Sequence, residues 1–338
     1  MSGAVSISLL EAERLAIAAL LREEVGAAAA RSTARALVAA ERDGQKGHGL
    51  SRVSTYVEQV RCGKVKTDAV PAARRLSPAA TLIDAGHGFA YPAIDLAIEE
   101  LDELARKSVI AVAAIRRSHH FGQAGAHVER LAEKGLVAFL FGNSPKAMAF
   151  WGGKAPMIGT NPVAFAAPLG HGPPLVIDLA LSVAARGKVV AAKKGGEKIP
   201  ADWAIDADGN PTTDPAAALS GSMSPVGGAK GAALALMIEV VAAALTASNF
   251  GFEASSFLDG EGPPPDLGHA LIAIDPGPTS GGAFLSRMGA LAAAMAAEPG
   301  VRMPGASRLK HRAAAEQTGL FVAPALLTEL RVLAGEAA

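Results

Sequence analysis

Gly47-His48-Gly49-Leu50-Ser51-Arg52 lies between two helical patterns, one from Ala27 to about Asp43 and one from Ser51 to Arg61. A histidine between glycines leaves room for a ligand, because glycine lets the backbone approach closely. With Ser51 opening the second helix, His48 falls just before its positive end and Arg52 in its first turn. That arrangement sets a proton carrier beside a carboxylate-binding guanidinium, at a helix end that favours anions. The same spacing also fits a polar interhelical loop with a solvated histidine.

Upstream, Ser8-Leu9-Leu10-Glu11 has the form of a capping box and predicts a helix to about Val25. Downstream, Thr67 to Ala80 is rich in Pro, Ala and Arg and reads as a connector. Alternation begins after it. Short apolar runs predict strands at Thr81–Asp84, Val109–Ile115, Leu136–Phe141, Pro162–Ala166, Leu175–Asp178 and Leu271–Ile274. Helical runs lie between several of them, at Pro92–Lys107, Gly125–Glu133, Ser182–Lys194 and Gly231–Ala247. A final helical set covers Ala283–Ala297 and the chain from about Arg308 onward. The class is α/β.

Half of the 338 residues are hydrophobic, enough for a substantial core. The formal charge is zero, with 32 basic and 32 acidic residues, so there is no electrostatic reason to expect nucleic acid or a membrane surface as partner. The single cysteine, Cys62, excludes an intrachain disulfide and is expected to be small, buried or half-buried packing. Met1 to Leu10 has neither a basic region nor a long apolar core, which argues against a secretory signal. The longest apolar run, Gly231–Ala247, carries Glu239 at its middle and reads as a buried helix. The expected location is the cytoplasm. No metal site is expected: His119 and His120 are adjacent and cannot face the same way on a strand, and no other ligand cluster exists. Gly86-His87-Gly88 follows a strand, but Tyr91 stands where the third glycine of a dinucleotide fingerprint belongs.

The opening stretch resembles the histidine motif of the malate/L-lactate/L-sulfolactate dehydrogenase family, roughly Asp-Ser-His-Gly-Ile/Leu-x-Arg, with Gly47 in the place of the serine. The resemblance continues in the family's order. It runs through Ser118-His119-His120-Phe121-Gly122, Trp151-Gly152-Gly153, Ile158-Gly159-Thr160-Asn161-Pro162, Asp178-Leu179-Ala180-Leu181-Ser182, Pro211-Thr212-Thr213-Asp214, Gly227-Gly228-Ala229-Lys230-Gly231 and Arg302-Met303-Pro304-Gly305. It implies a non-Rossmann, three-layer α/β/α fold around a mixed, largely antiparallel seven-stranded sheet, working as a homodimer. It also implies a helical N-terminal lobe over 1–75, an α/β cofactor- and substrate-binding core over 76–305, and C-terminal helices over 306–338 that pack back on the N-terminal lobe.

On the same resemblance, His48 carries the proton and Arg52 clamps the substrate carboxylate, roles that suit an imidazole and a guanidinium. The family's imine-reducing members have a serine before the histidine and a relay ending in an aspartate. Here these positions are Gly47 and Lys188, so the proton path must differ. Lys188 would depress the His48 pKa if close, or bind a second anionic group, or simply be solvated. His120 and Thr160 are expected at the substrate, Thr160 preceding an Asn161 held extended by Pro162. The cofactor, NAD or NADP, is expected against His120, Phe121 and Gly122, against Asp178, Leu179 and Ala180, against Gly228 and Lys230, and against Arg302, Pro304, Gly305 and Arg308. Arg308 holding a 2′-phosphate would favour NADP; a solvated Arg308 fits equally. Ala229 stands where the family usually has a histidine, so one cofactor contact is expected to be missing. The implied activity is hydride transfer between nicotinamide and a small anionic 2-oxo/2-hydroxy acid of malate, lactate or sulfolactate type. The alternative is reduction of a cyclic 2-imino acid such as Δ1-pyrroline- or Δ1-piperideine-2-carboxylate. A third reading, from the altered Gly47, Lys188 and Ala229, is a lapsed enzyme kept as a binding protein.

Overall fold

The computed structural model describes residues 3–337. A short strand, β1 (Val5–Ile7), leads into α1 (Leu9–Arg22) and α2 (Ala27–Arg42). Ser8 caps α1, its Oγ accepting from Glu11 N at 3.0 Å. Two 3-10 turns, Lys46–His48 and Leu50–Arg52, precede α3 (Val53–Arg61). Then come β2 (Ala72–Ser77), β3 (Ala80–Asp84), α4 (Ala90–Ser108), β4 (Ile110–Ser118), α5 (Ala124–Glu133), β5 (Val137–Gly142), β6 (Val163–Ala167) and β7 (Leu175–Leu179). After α6 (Arg186–Gly195), a hairpin of β8 (Ala204–Ile205) and β9 (Ser222–Met223) encloses α7 (Pro215–Ser220). The chain ends through α8 (Ala229–Ala242), β10 (Leu267–Ile274), α9 (Pro276–Ser280), α10 (Phe284–Ala297), α11 (Ala306–Thr318), β11 (Leu320–Val322) and α12 (Pro324–Ala334).

The main sheet has seven strands in the order β2-β3-β4-β10-β5-β6-β7. Only β3 and β4 pair in parallel, joined through α4; every other pair is antiparallel. Side chains of a strand alternate between faces, and β5 shows the consequence. Ala138 and Leu140 face the core formed with α4 and α5, while Phe141 packs on the opposite side with residues of α8. Helices therefore cover both faces, giving three α/β/α layers. A separate core joins α1, α2 and α3 to α12 and to the β1–β11 pair.

Several expectations are corrected. The connector contains β2, an edge strand running across residues 75 and 76, all six of whose residues are exposed, so no alternation marked it. The helix expected from Ser182 starts at Arg186, because the Ser182 hydroxyl turns to Ala184 O at 2.8 Å. The last helix is split at Gly319, whose φ of 77° admits a tight exit, so that β11 can pair with β1. Cys62 is exposed as the C-cap residue of α3. The apolar run over α8 is only half-buried: Leu234, Leu236, Met237 and Val240 are each close to half exposed.

Candidate active site

The loop after α2 is built on a buried carboxylate. Glu41 Oε2 accepts from Leu50 N at 3.0 Å, and burial raises the Glu41 pKa against the opposing effects of that hydrogen bond and Lys46. A Cβ on Gly49 would overlap Glu41 Oε2 and lie 3.0 Å from Glu41 Cα, so this position must be glycine. Ser51 does not open the helix; its hydroxyl donates to Lys46 O at 2.8 Å, and α3 starts at Val53. Arg52 Nε donates to Gly47 O at 2.7 Å, which ties the guanidinium back across the loop. Its terminal nitrogens have no hydrogen-bond or ion-pair partner among the described residues. Gly49→Ala is expected to lower the unfolding free energy by about 1–3 kcal/mol through overpacking, with a matching fall in turnover. A urea midpoint equal to that of the parent would show that Glu41 does not hold the loop.

The loop sets His48 against His120, with ring centroids 5.2 Å apart and planes inclined by 20°. His120 Nδ1 lies 2.6 Å from the Tyr56 hydroxyl, which lies 2.8 Å from the Tyr91 hydroxyl. Gly122, with φ of 69°, lets the chain pass directly over Tyr91: a Cβ there would be 2.7 Å from the Tyr91 hydroxyl. His119 turns the other way, to Gln59 Oε1 at 3.4 Å. Burial, then the Arg52 charge, pushes the His48 pKa down to about 4. Burial followed by Arg52 also holds His120 well below the ordinary histidine value. Burial raises Tyr56 to about 12. At neutral pH the site thus holds two neutral imidazoles and two protonated phenols. His48 Nδ1 is buried without a partner. A neutral imidazole is a base able to accept a proton.

The other sequence-derived residues form further groups. Asp178, at the end of β7, accepts from Gly125 N at 2.7 Å, placing a carboxylate at the start of α5. Gly305 packs beside it, since a Cβ there would sit 3.4 Å from Val176 O. Leu179 and Ala180 run on to Leu181, whose carbonyl accepts from Val226 N at 2.8 Å and so adjoins the glycine loop before α8. There Gly227 and Gly228 have φ of 63° and 64°, and no side chain caps the helix. Lys230 is exposed in its first turn and makes no ion pair among the described residues. An open positive helix end with a free lysine, beside an accessible carboxylate, fits the pyrophosphate and hydroxyls of a dinucleotide. Arg302 and Pro304 are exposed alongside.

Three expectations fail on the geometry. Arg308 is buried, bonded to Glu129 through both terminal nitrogens at 2.5 and 3.0 Å and 3.4 Å from Asp43, so its charge is already matched and it is not a free 2′-phosphate ligand. Asn161 is not extended: its φ is 39°, held there by Nδ2 donating to Ala235 O at 2.9 Å and Glu239 Oε2 at 2.6 Å. The charge acting on His48 is Arg52, not Lys188, which is exposed on α6 with its ammonium 5.8 Å from the Trp203 ring centroid. Thr160 is half-buried, its backbone N–H donating to Ser144 Oγ at 3.1 Å. Sequence reasoning missed Tyr56 and Tyr91. Tyr56 had a signal: it follows Arg52 by four residues, one helical turn along the same face.

The family model for malate/L-lactate dehydrogenase matches residues 7–331. The chain is 52% identical over 328 residues to a (2R)-3-sulfolactate dehydrogenase (NADP(+)) of Chromohalobacter salexigens, covering 97% of this chain and 98% of the relative. It is 40% identical over 336 residues to a Δ1-pyrroline-2-carboxylate reductase of Ancylobacter novellus, covering 98% of each. Further relatives with 37–40% identity bear pyrroline- or pyrroline/piperideine-2-carboxylate reductase names. The crystal structure of Δ1-piperideine-2-carboxylate reductase from Pseudomonas syringae pv. tomato superposes with a TM-score of 0.93 at 37% identity, over 97% of this chain and 99% of that one. Taken together, these relatives back the cyclic imino acid reading better than the hydroxy acid reading. The chain belongs to the malate/L-lactate dehydrogenase family and is one of its NAD(P)-dependent oxidoreductases, whose substrates are small anionic 2-oxo, 2-hydroxy or cyclic imino acids.

Proposed function

We propose that the chain interconverts a dianionic 2-hydroxy acid and its 2-oxo acid, as the name of the sulfolactate relative describes for that protein, and that NADP is its preferred coenzyme. The observation that carries this reading is the sign of the site. Arg52 acts on His48, His120, Tyr56 and Tyr91, and no carboxylate offsets it at any of the four. A protonated cyclic imine would bring a cation into that field; a hydroxy acid brings only anions. The replacement of the family's serine and aspartate by Gly47 and Lys188 points the same way.

In this reading Arg52 grips the carboxylate with its free terminal nitrogens, and His48 takes the hydroxyl proton. A nicotinamide coenzyme held by the Gly227–Gly228 loop and Lys230 would supply the acceptor for the hydride that leaves the carbinol carbon. A carboxylate on Arg52 offsets the smaller of the two causes that depress His48, burial being the larger, and so acts to raise the basicity of the imidazole. In the reverse direction protonated His48 returns the proton. The cyclic imino acid is the second reading, supported by the number of reductase relatives and by the 0.93 superposition.

Absorbance at 340 nm across hydroxy, oxo and cyclic imino acids, with each coenzyme, separates the two. Turnover of cyclic imino acids alone would overturn the proposal. Arg52→Lys is expected to raise KM about 10- to 100-fold, since an ammonium cannot reproduce a bidentate pair. Lys188→Asp should weaken dianionic substrates about 10- to 100-fold more than monoanionic ones if the lysine binds the second anion. Equal effects would remove Lys188 from the site.

We also propose a homodimer in the cytoplasm. The exposed apolar faces of α8 and of α10, none of whose residues is buried, support a partner subunit there. The stretch Ala229–Thr246 is long and apolar enough to cross a membrane, but Glu239 is buried at its middle on Asn161 and Gly251 N, which marks it as a core element. Light scattering giving a monomer mass would refute the dimer.

A further inference from the structure

Residues 250–265 form a closed Ω-loop. Its ends are joined by Asn249, which donates through its backbone N–H to Asp266 O at 2.8 Å and through Nδ2 to Pro265 O at 3.2 Å. Its first turn is tied to the sheet by Lys146 N donating to Gly251 O at 2.9 Å, and by Asn143 Nδ2 donating to Asn249 O at 2.8 Å. The middle of the loop is fixed differently. Lys64, whose side chain is wholly buried, donates to Ser256 O and Asp259 O, each at 2.9 Å, and meets Asp259 Oδ1 at 3.3 Å. Gln59 Nε2 adds a bond to Asp259 O at 2.6 Å. An ammonium has three donors, and all of Lys64's go to this one loop. A fully buried lysine is rare unless its partners are built for it.

Between the two anchored residues, Ser256 and Asp259, lies Phe257. Its ring centroid is 5.1 Å from that of His120 and 5.2 Å from that of His119. The ring is only half-buried. It stands against the same His120 that stacks on His48. We propose that Phe257 is an apolar wall of the substrate site that limits the side chain of the acid, and that Lys64 is the positioning residue that holds it there. The proposal rests on the reading that substrate binds at His48 and Arg52.

The test uses full-length enzyme and any acid the parent turns over. Phe257→Ala should raise KM for that acid about tenfold with kcat nearly unchanged, and should improve kcat/KM for acids longer by one or two methylenes relative to it. Lys64→Met should reproduce that KM change, and the Phe257→Ala, Lys64→Met double variant should be no worse than either alone. A purely structural lysine would lower the melting temperature and leave KM alone. Where Lys64→Met does not fold, Lys64→Gln, which keeps a donor but loses the charge and part of the reach, replaces it, and should raise KM two- to threefold. An unchanged KM and unchanged length selectivity in Phe257→Ala overturn the wall. An unchanged KM in the folded Lys64→Met, or in Lys64→Gln where that stands in for it, removes Lys64 from positioning. A parent inactive on every acid defeats the substrate reading and this inference together; an active parent with unaltered variants defeats only the inference.

Discussion

His48→Ala is expected to lower kcat by about 10²- to 10⁴-fold, with coenzyme affinity little changed. The variant removes the buried, unpartnered Nδ1 and the whole ring stacked on His120, while Arg52 stays tied to Gly47 O. Substrate still binds, so the loss falls on turnover. The pH profile carries the sign. A base works only when neutral, and His48 is held at about 4 by burial and Arg52, so the acid limb of kcat/KM for hydroxy acid oxidation should fall near pH 4. Activity is lost as pH drops through that value. The limb of kcat should sit higher, because bound carboxylate neutralises Arg52. Stopped-flow and steady-state profiles measure both; near-parental turnover in the variant would take His48 out of proton transfer.

Asp43→Asn should destabilise the fold by about 3–5 kcal/mol, the effect of breaking a buried ion pair from one side. Asp43 has no exposed side-chain surface and pairs with Arg312 at 2.9 Å through each oxygen, with Arg308 at 3.4 Å beyond. Glu129 completes the quartet, bridging Arg308 and Arg312. The four residues lock α11 to α2 and α5. Without the Asp43 charge, two guanidiniums share one carboxylate. Burial raises the Asp43 pKa, but the hydrogen bond and charge of Arg312, with Arg42 and Arg308, outweigh it and leave it below the usual range. Its folded value is depressed, so its stabilisation is complete above the unfolded carboxylate value of about 3.9 and is lost as pH falls through the folded one. Urea unfolding at neutral pH checks the loss. A difference within about 0.5 kcal/mol would mean the quartet contributes no net stability.

Six strands of the main sheet were legible because each is a short apolar run, several of them separated by helical patterns. The seventh, β2, was not, because an edge strand with every residue exposed has no buried face to write into its sequence. Local rules also yielded to tertiary contacts. The proline after Asn161 argues for extended backbone, but bonds to Ala235 O and Glu239 outweigh that preference. At the site, His48 and Arg52 were legible through loop spacing and family resemblance. Arg308 was misread because its partners, Asp43 and Glu129, are 265 and 179 residues away along the chain. Phe257 and Lys64 were invisible for the same reason: nothing near either one announces the loop that joins them.

The pairing of β1 with β11 has a consequence for how the chain acquires activity during synthesis. Val5 pairs with Val322, and the core that holds α1, α2 and α3 includes Leu320, Val322, Leu327 and Leu330. The core under the main sheet draws on no residue beyond Ala273. A ribosome adding about 5–20 residues per second leaves a pause of several seconds between these two points. During that interval the sheet can form, while the helices carrying His48 and Arg52 still lack their last wall. The core under the sheet can thus form before the lobe that carries His48 and Arg52 is closed, and that lobe is complete only when residues 320–330 have been added.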